Sequence, residues 1–128
     1  MELNVGGFQT RAGTRLEDVV AGAFCFGLGR RDIQPEQVRL RQKITDLQGV
    51  VFRPGKTREV DLIALGEEIL VFEVKATADA DDIDDLGDKV ALMRHLHPGR
   101  KVAGVLVMLG SEREHRQWCA EKGLTLIP

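Results

Sequence analysis

Two strand-like segments, residues 56–65 and 69–76, are built mostly from Val, Leu, Ile, Phe and Ala, and only Gly66, Glu67 and Glu68 separate them. A connection that short forces consecutive strands into an antiparallel hairpin. Residues 102–109 follow later as a nearly continuous apolar run, the pattern of a strand covered on both faces. Between the hairpin and that run, Ile83, Leu86, Val90, Met93 and His97 recur at helical spacing over about 79–97, and Pro98-Gly99 stops the helix. A hairpin followed by a helical crossover to a buried strand predicts a mixed sheet with helices packed on it.

The rest of the chain extends the same plan. Leu16, Val19, Val20, Ala23, Phe24 and Gly27 form an apolar stripe over 14–28, opened by the T-x-x-E capping box of Thr14 and Glu17. Residues 37–45 alternate, with Val38, Leu40 and Ile44 expected on one face and Arg39, Arg41 and Lys43 on the other. Gly49 and Pro54-Gly55 punctuate the segment that follows. A third helix is expected over 111–122, with Ser111 and Glu114 as its capping box and Gly123 at its end, and a short strand over 124–127. The expected order is αβββαβαβ, an α/β fold. Residues 1–13 read as an arm or loop, and 14–128 as one domain, the usual size for 128 residues.

Composition narrows the function classes. Cys25 and Cys119 are the only cysteines, which excludes a disulfide scaffold and suits a reduced compartment. No run of about 18 apolar residues is present, so no membrane span is expected. Met1 to Thr10 lacks the basic-then-apolar layout of an export signal, and a cytoplasmic location is expected. The net charge of −2 argues against a generic nucleic-acid binder. Its distribution does not: residues 1–58 carry ten Lys+Arg against six Asp+Glu, and residues 59–128 carry eight against fourteen. A basic half can face phosphate while the acidic half does other work.

The central hairpin places charges where apolar side chains belong. Asp61 interrupts one strand, and Glu73 and Lys75 interrupt the next. Charges in central strands are costly unless paired or metal-bound. Glu73 and Lys75 are two apart and share a face. If Leu65 pairs with Ile69, Asp61 falls opposite Glu73, with Cβ atoms about 4.5–5.5 Å apart. Two carboxylates so placed repel unless a cation joins them. Hard oxygen ligands suit Mg²⁺, and the Val74 carbonyl is a further candidate ligand. Lys75 is positioned to orient an attacking water or offset charge developing on a phosphate. The plain alternative is a structural salt bridge in which Lys75 neutralises one acid.

The stretch Glu59-Val60-Asp61-Leu62-Ile63-Ala64, followed on the next strand by Glu73-Val74-Lys75-Ala76, resembles the signature of the PD-(D/E)XK nuclease superfamily. The resemblance covers roughly residues 14–109, and the whole chain is similar to a microbial group within that superfamily whose members often carry a preceding coiled-coil arm. Val60 stands where the motif's name has proline. The resemblance implies a restriction-endonuclease-like fold, with Asp61 and Glu73 binding Mg²⁺ or Mn²⁺ and Lys75 assisting the water. It also implies a role near the metal for Glu17 on the first helix. The capping box explains that acid without chemistry. Glu59 shares a face with Asp61 and is a lesser candidate to assist it; its plain alternative is a strand-edge charge in solvent.

These residues point to metal-dependent hydrolysis of nucleic-acid phosphodiester bonds, with DNA the first expectation and RNA open. Arg39, Arg41, Lys43 and Arg58, together with Arg53 and Lys56, are candidates for phosphate contact. Lys89, about one turn past Asp85, is a further candidate whose ordinary reading is a solvated lysine. A small domain with a shallow site favours a homodimer across a duplex. The alternatives are a catalytically inactive nucleic-acid-binding or assembly module with the same fold, and a purely structural partner domain.

Overall fold

The computed structural model describes residues 37–108 and 113–127. Five strands form one sheet in the order β1 (Val38–Asp46), β2 (Lys56–Leu65), β3 (Glu68–Lys75), β4 (Lys101–Met108) and β5 (Thr125–Ile127). The first three strands run antiparallel; β4 joins β3, and β5 joins β4, in parallel. Helix α1 (Ala80–Leu96) carries the chain from β3 to β4, and helix α2 (Arg113–Glu121) lies between β4 and β5. Parallel neighbours need such crossovers, so the expected mixed α/β sheet is the one found. The expected helix over 14–28, Glu17 with it, and Ser111 lie outside the described residues.

Leu65 pairs with Ile69 across a turn at Gly66 and Glu67, the register on which the placement of Asp61 opposite Glu73 depends. Helix α1 starts one residue later than its acidic run begins. Asp79 is its N-cap: the Asp79 carboxylate accepts the Asp82 amide at 2.9 Å, and Asp82 returns the bond to the Asp79 amide at 3.0 Å. Reciprocal capping satisfies two otherwise orphan donors.

Apolar side chains form two clusters, one on each face of the sheet. Ile83, Leu86, Val90 and Met93 of α1, with Cys119 of α2, pack on Ile69, Val71 and Leu106. Leu62, Ala64, Leu70, Phe72, Val105 and Val107 form the other cluster. β4 contributes to both, as its continuous apolar run predicts. Gly104 lets helix and sheet approach closely, since a Cβ there would lie 2.6 Å from both Val90 and Leu124 side chains.

The outer strands depart from simple alternation. Val38 and Leu40 pack in the second cluster, whereas Ile44 packs in the first. In β2, Val60 joins the first cluster with Ile63, while Leu62 joins the second. Both strands thus change face at the same level. Arg41, which would stand opposite Asp61, drops out of the ladder and adopts a φ of 51°. Non-glycine residues seldom take that left-handed conformation. The expected single basic face is therefore broken. Arg39 pairs with Ile63 on the helix-covered side, whereas Lys43 pairs with Glu59, on the face opposite Ile44 and its partner Arg58.

β1 ends in a loop knotted on Asp46. Its carboxylate is buried and accepts the amides of Val50 (2.8 Å), Val51 (2.8 Å) and Phe52 (2.6 Å). Burial opposes its ionisation, but these backbone donors, with Gly49, outweigh that and hold its pKa below the ordinary aspartate range. Gly49 has a φ of 69° and lies so close to Pro54 that a Cβ would sit 2.6 Å from the ring.

Candidate functional site

The β2–β3 ladder is regular from Leu65–Ile69 to Leu62–Phe72 and then opens at the acids. Side chains replace the backbone ladder there. The Asp61 amide donates to Glu73 Oε2 at 3.2 Å, and the Val74 amide donates to Asp61 Oδ2 at 2.9 Å. One oxygen of each acid is thereby fixed by the opposite strand. Asp61 Oδ1 and Glu73 Oε1 receive no hydrogen bond from a described residue. The Val74 carbonyl shares its amide's strand edge and so points toward the same opening.

Three charged residues are buried among those described: Asp46, Glu73 and Lys89. Two of them meet. Lys89 Nζ lies 3.3 Å from Glu73 Oε2 and 3.2 Å from Asp85 Oδ2, and Asp85 is also paired with Arg58. The Arg58 guanidinium lies over the Phe52 ring, 5.0 Å from its centroid, so the chain of contacts reaches the Asp46 loop. Burial raises the Glu73 pKa most, the Asp61 charge raises it further, and Lys89 opposes both.

Lys75 shares the face of Glu73 but pairs with Asp82 at the start of α1, Nζ to Oδ1 3.7 Å, with both side chains over one-third exposed. The salt-bridge alternative, in which Lys75 neutralises Glu73, is corrected by this geometry: Lys89 is the lysine that does so. The helical position of Lys89 carried the signal, since it falls beside the stripe of Leu86, Val90 and Met93. It is 5% exposed and faces Glu73, not an external phosphate. Arg58 likewise spends its charge on Asp85. Arg41 lies 3.7 Å from Glu59, both well exposed, and Glu59 stands away from Asp61 because β2 changes face between them. Arg39, Lys43 and Arg53 are exposed. An open depression of about 330 Å³ adjoins Arg39, Lys43 and His97 and shares no residue with the acid pair. Asp85 and Asp82, which complete these networks, were legible only as helix acids.

Two carboxylates, each with a hard oxygen that no described residue bonds, repelling each other beside a backbone carbonyl, fit a divalent cation. Among the described residues no group of three or more His, Cys, Asp or Glu side chains surrounds one position, so two carboxylates are what these strands supply. Mg²⁺ commonly takes one or two and retains water for the rest.

No family model matches the chain, and no curated protein matches it by sequence. Solved structures do match. Protein VC1899 from Vibrio cholerae superposes with a TM-score of 0.61 at 19% identity, over 89% of this chain and 28% of that one. A repair endonuclease from Pyrococcus abyssi gives a TM-score of 0.49 at 21% identity, over 70% of this chain and 38% of that one. EndoMS in a complex with double-stranded DNA gives 0.48 at 21%, over 73% and 38% respectively. The chain thus spans well under half the length of these structures. No described helix is long and apolar enough to cross a membrane. The architecture, a mixed sheet with a central hairpin and helical crossovers, is restriction-endonuclease-like, and the likeness to VC1899 is one of fold.

Proposed function

We propose that the chain is a metal-dependent nuclease domain that hydrolyses phosphodiester bonds of nucleic acid, DNA before RNA. The observation that carries this is the strand opening, where Asp61 and Glu73 each keep one oxygen that no described residue bonds, at the end of the apolar stretch that β2 and β3 share. Asp61, Glu73 and the Val74 carbonyl would hold the ion. When bound, Mg²⁺ or Mn²⁺ supplies a polarised phosphoryl oxygen and an acidified water. The backbone bonds from Asp61 and Val74 keep both carboxylates aimed without further ordering, and Lys75 orients the attacking water and offsets charge developing on the phosphate. Its pairing to Asp82 is loose enough to release it to substrate. The family resemblance adds Glu17, outside the described residues, as a further acid that would reach the metal through water or bind a second ion. The strained backbone of Arg41 beside Asp61 is of the kind that concentrates at functional sites.

Exposed Arg39, Arg41, Lys43 and Arg53, with Lys56, are the phosphate contacts, and two copies of the domain would embrace a duplex. The reading sets the protein in the cytoplasm, where the free, buried thiol of Cys119 is at home. One observation favours the inactive-module alternative: Lys89 already gives Glu73 a cation. A cleavage assay on plasmid, single-stranded and branched DNA and on RNA, with Mg²⁺ or Mn²⁺, decides between them. Wild type should cut at least one substrate and Asp61→Asn none. Nucleic-acid affinity should fall with salt, with a log–log slope near −0.9 for each duplex phosphate neutralised. A wild-type protein that binds metal yet is inert on every substrate would leave the module.

A further inference from the structure

The nuclease reading gives Lys89 no task, yet Lys89 is the most deeply placed cation among the described residues. Its side chain is 6% exposed, that of Glu73 is 8%, and their contact is direct. A lysine held there places a full positive charge within 3.3 Å of an oxygen that a divalent ion would need close by. Like charges that near one another repel strongly in a partly dry site. The ammonium and a divalent ion at Glu73 are therefore mutually disfavoured unless the ammonium withdraws.

The structure supplies a place to withdraw to. Lys89 Nζ is already shared with Asp85 at 3.2 Å, one helical turn away. Asp85 is held from its other side by Arg58, whose guanidinium rests on Phe52. The lysine stem is long and flexible, so a small rotation gives up Glu73 and keeps Asp85. No buried charge is left without a partner in either arrangement.

We propose that Lys89 is a built-in counter-cation of the acid pair: it holds Glu73 in the metal-free protein, competes with the divalent ion for it, and retreats to Asp85 when the ion binds. The inference rests on the metal-site reading of Asp61 and Glu73. It makes metal affinity adjustable from α1, at residues that touch neither substrate nor ion.

The test is a calorimetric Mn²⁺ titration of the full chain, with folding checked by circular dichroism. Lys89→Met should bind Mn²⁺ about tenfold more tightly than wild type, because the competitor is gone. Asp85→Asn should bind several-fold more weakly, since Lys89 then has only Glu73 to pair with. Lys122→Met removes an equal charge from an exposed surface pair with Asp84 and should bind as wild type does. If Lys89→Met fails to fold without metal, Asp85→Asn carries the result, because it keeps the buried Lys89–Glu73 contact. Unchanged or weaker binding in folded Lys89→Met, or unchanged or tighter binding in Asp85→Asn, overturns the inference and leaves the metal reading standing. Mn²⁺ binding that appears only in Lys89→Met supports it. No binding by either wild type or Lys89→Met overturns both.

Discussion

Replacing Lys75 by Met separates a chemical role from a structural one, and the structure sets the expected size of each. Among the described residues Lys75 reaches only Asp82, at 3.7 Å, with the two side chains 38% and 36% exposed. Pairs of that kind are worth roughly 0–1 kcal/mol. Asp82 also keeps its capping bonds with Asp79 when the lysine is gone. A loss of about 1 kcal/mol lowers the melting temperature of a domain this size by roughly 3–6 °C. Lys89→Met is the contrast. It strips a partner from Glu73 in a pair that is almost fully buried on both sides. Removing one member of a buried pair costs roughly 3–5 kcal/mol, several times the Lys75 effect. The assay is a thermal melt of both variants in excess EDTA, paired with single-turnover cleavage in Mg²⁺. Lys75→Met should melt within a few degrees of wild type and lose cleavage by about 10²-fold or more, the usual scale for a group that stabilises developing charge. A Lys75→Met protein as unstable as Lys89→Met would refute the assignment of the two lysines. One that cuts as fast as wild type would refute the chemical role.

The pH dependence of stability follows from the two shifted carboxyls, and they act with opposite signs. Glu73 binds its proton more tightly folded than unfolded, so its contribution is present below the ordinary value of 4.5 and is lost as pH rises through the raised folded pKa. In urea unfolding without metal, wild type should lose stability relative to Glu73→Gln over that window, Asp61→Asn should reduce the loss, and a flat difference would contradict the burial argument. Asp46, held low, contributes above 3.8 and fades as pH falls through its lowered pKa, which Asp46→Asn should reveal. Gly104→Ala forces a methyl to within 2.6 Å of Val90 and Leu124 and should destabilise by about 1–3 kcal/mol in the same experiment; a neutral effect would mean α1 is not seated on β4 as described.

Much of this fold was legible because it rests on short-range regularities. The three residues between two apolar runs implied the hairpin, and the Leu65–Ile69 pairing then placed Asp61 at the level of Glu73. The unbroken apolar run at 102–109 announced a strand buried on both faces, and Val105 and Leu106 do face opposite clusters. What escaped was non-periodic. The change of face shared by β1 and β2 hinges on one positive φ at Arg41, a residue with no intrinsic preference for it. The Asp46 knot is made of side-chain-to-backbone bonds across a loop, where only Gly49 and Pro54-Gly55 mark the sequence. Lys89 looked like a solvated helix lysine because lysine is seldom buried, and only its partners, Glu73 and Asp85, explain why this one is. The acid pair was visible as a conflict between charge and strand; the identity of its resident cation depended on how α1 packs.

The central claim is that Asp61 and Glu73 form a divalent-ion site. A crystal of the full chain soaked in Mn²⁺, with anomalous data collected near the manganese edge, tests it most directly. The account predicts one anomalous peak in the opening between β2 and β3, within coordination distance of both carboxylates, with Lys89 turned toward Asp85; the peak should be absent from Asp61→Asn. A wild-type map with no manganese at Asp61 and Glu73, at an Mn²⁺ concentration that occupies other sites, would contradict it.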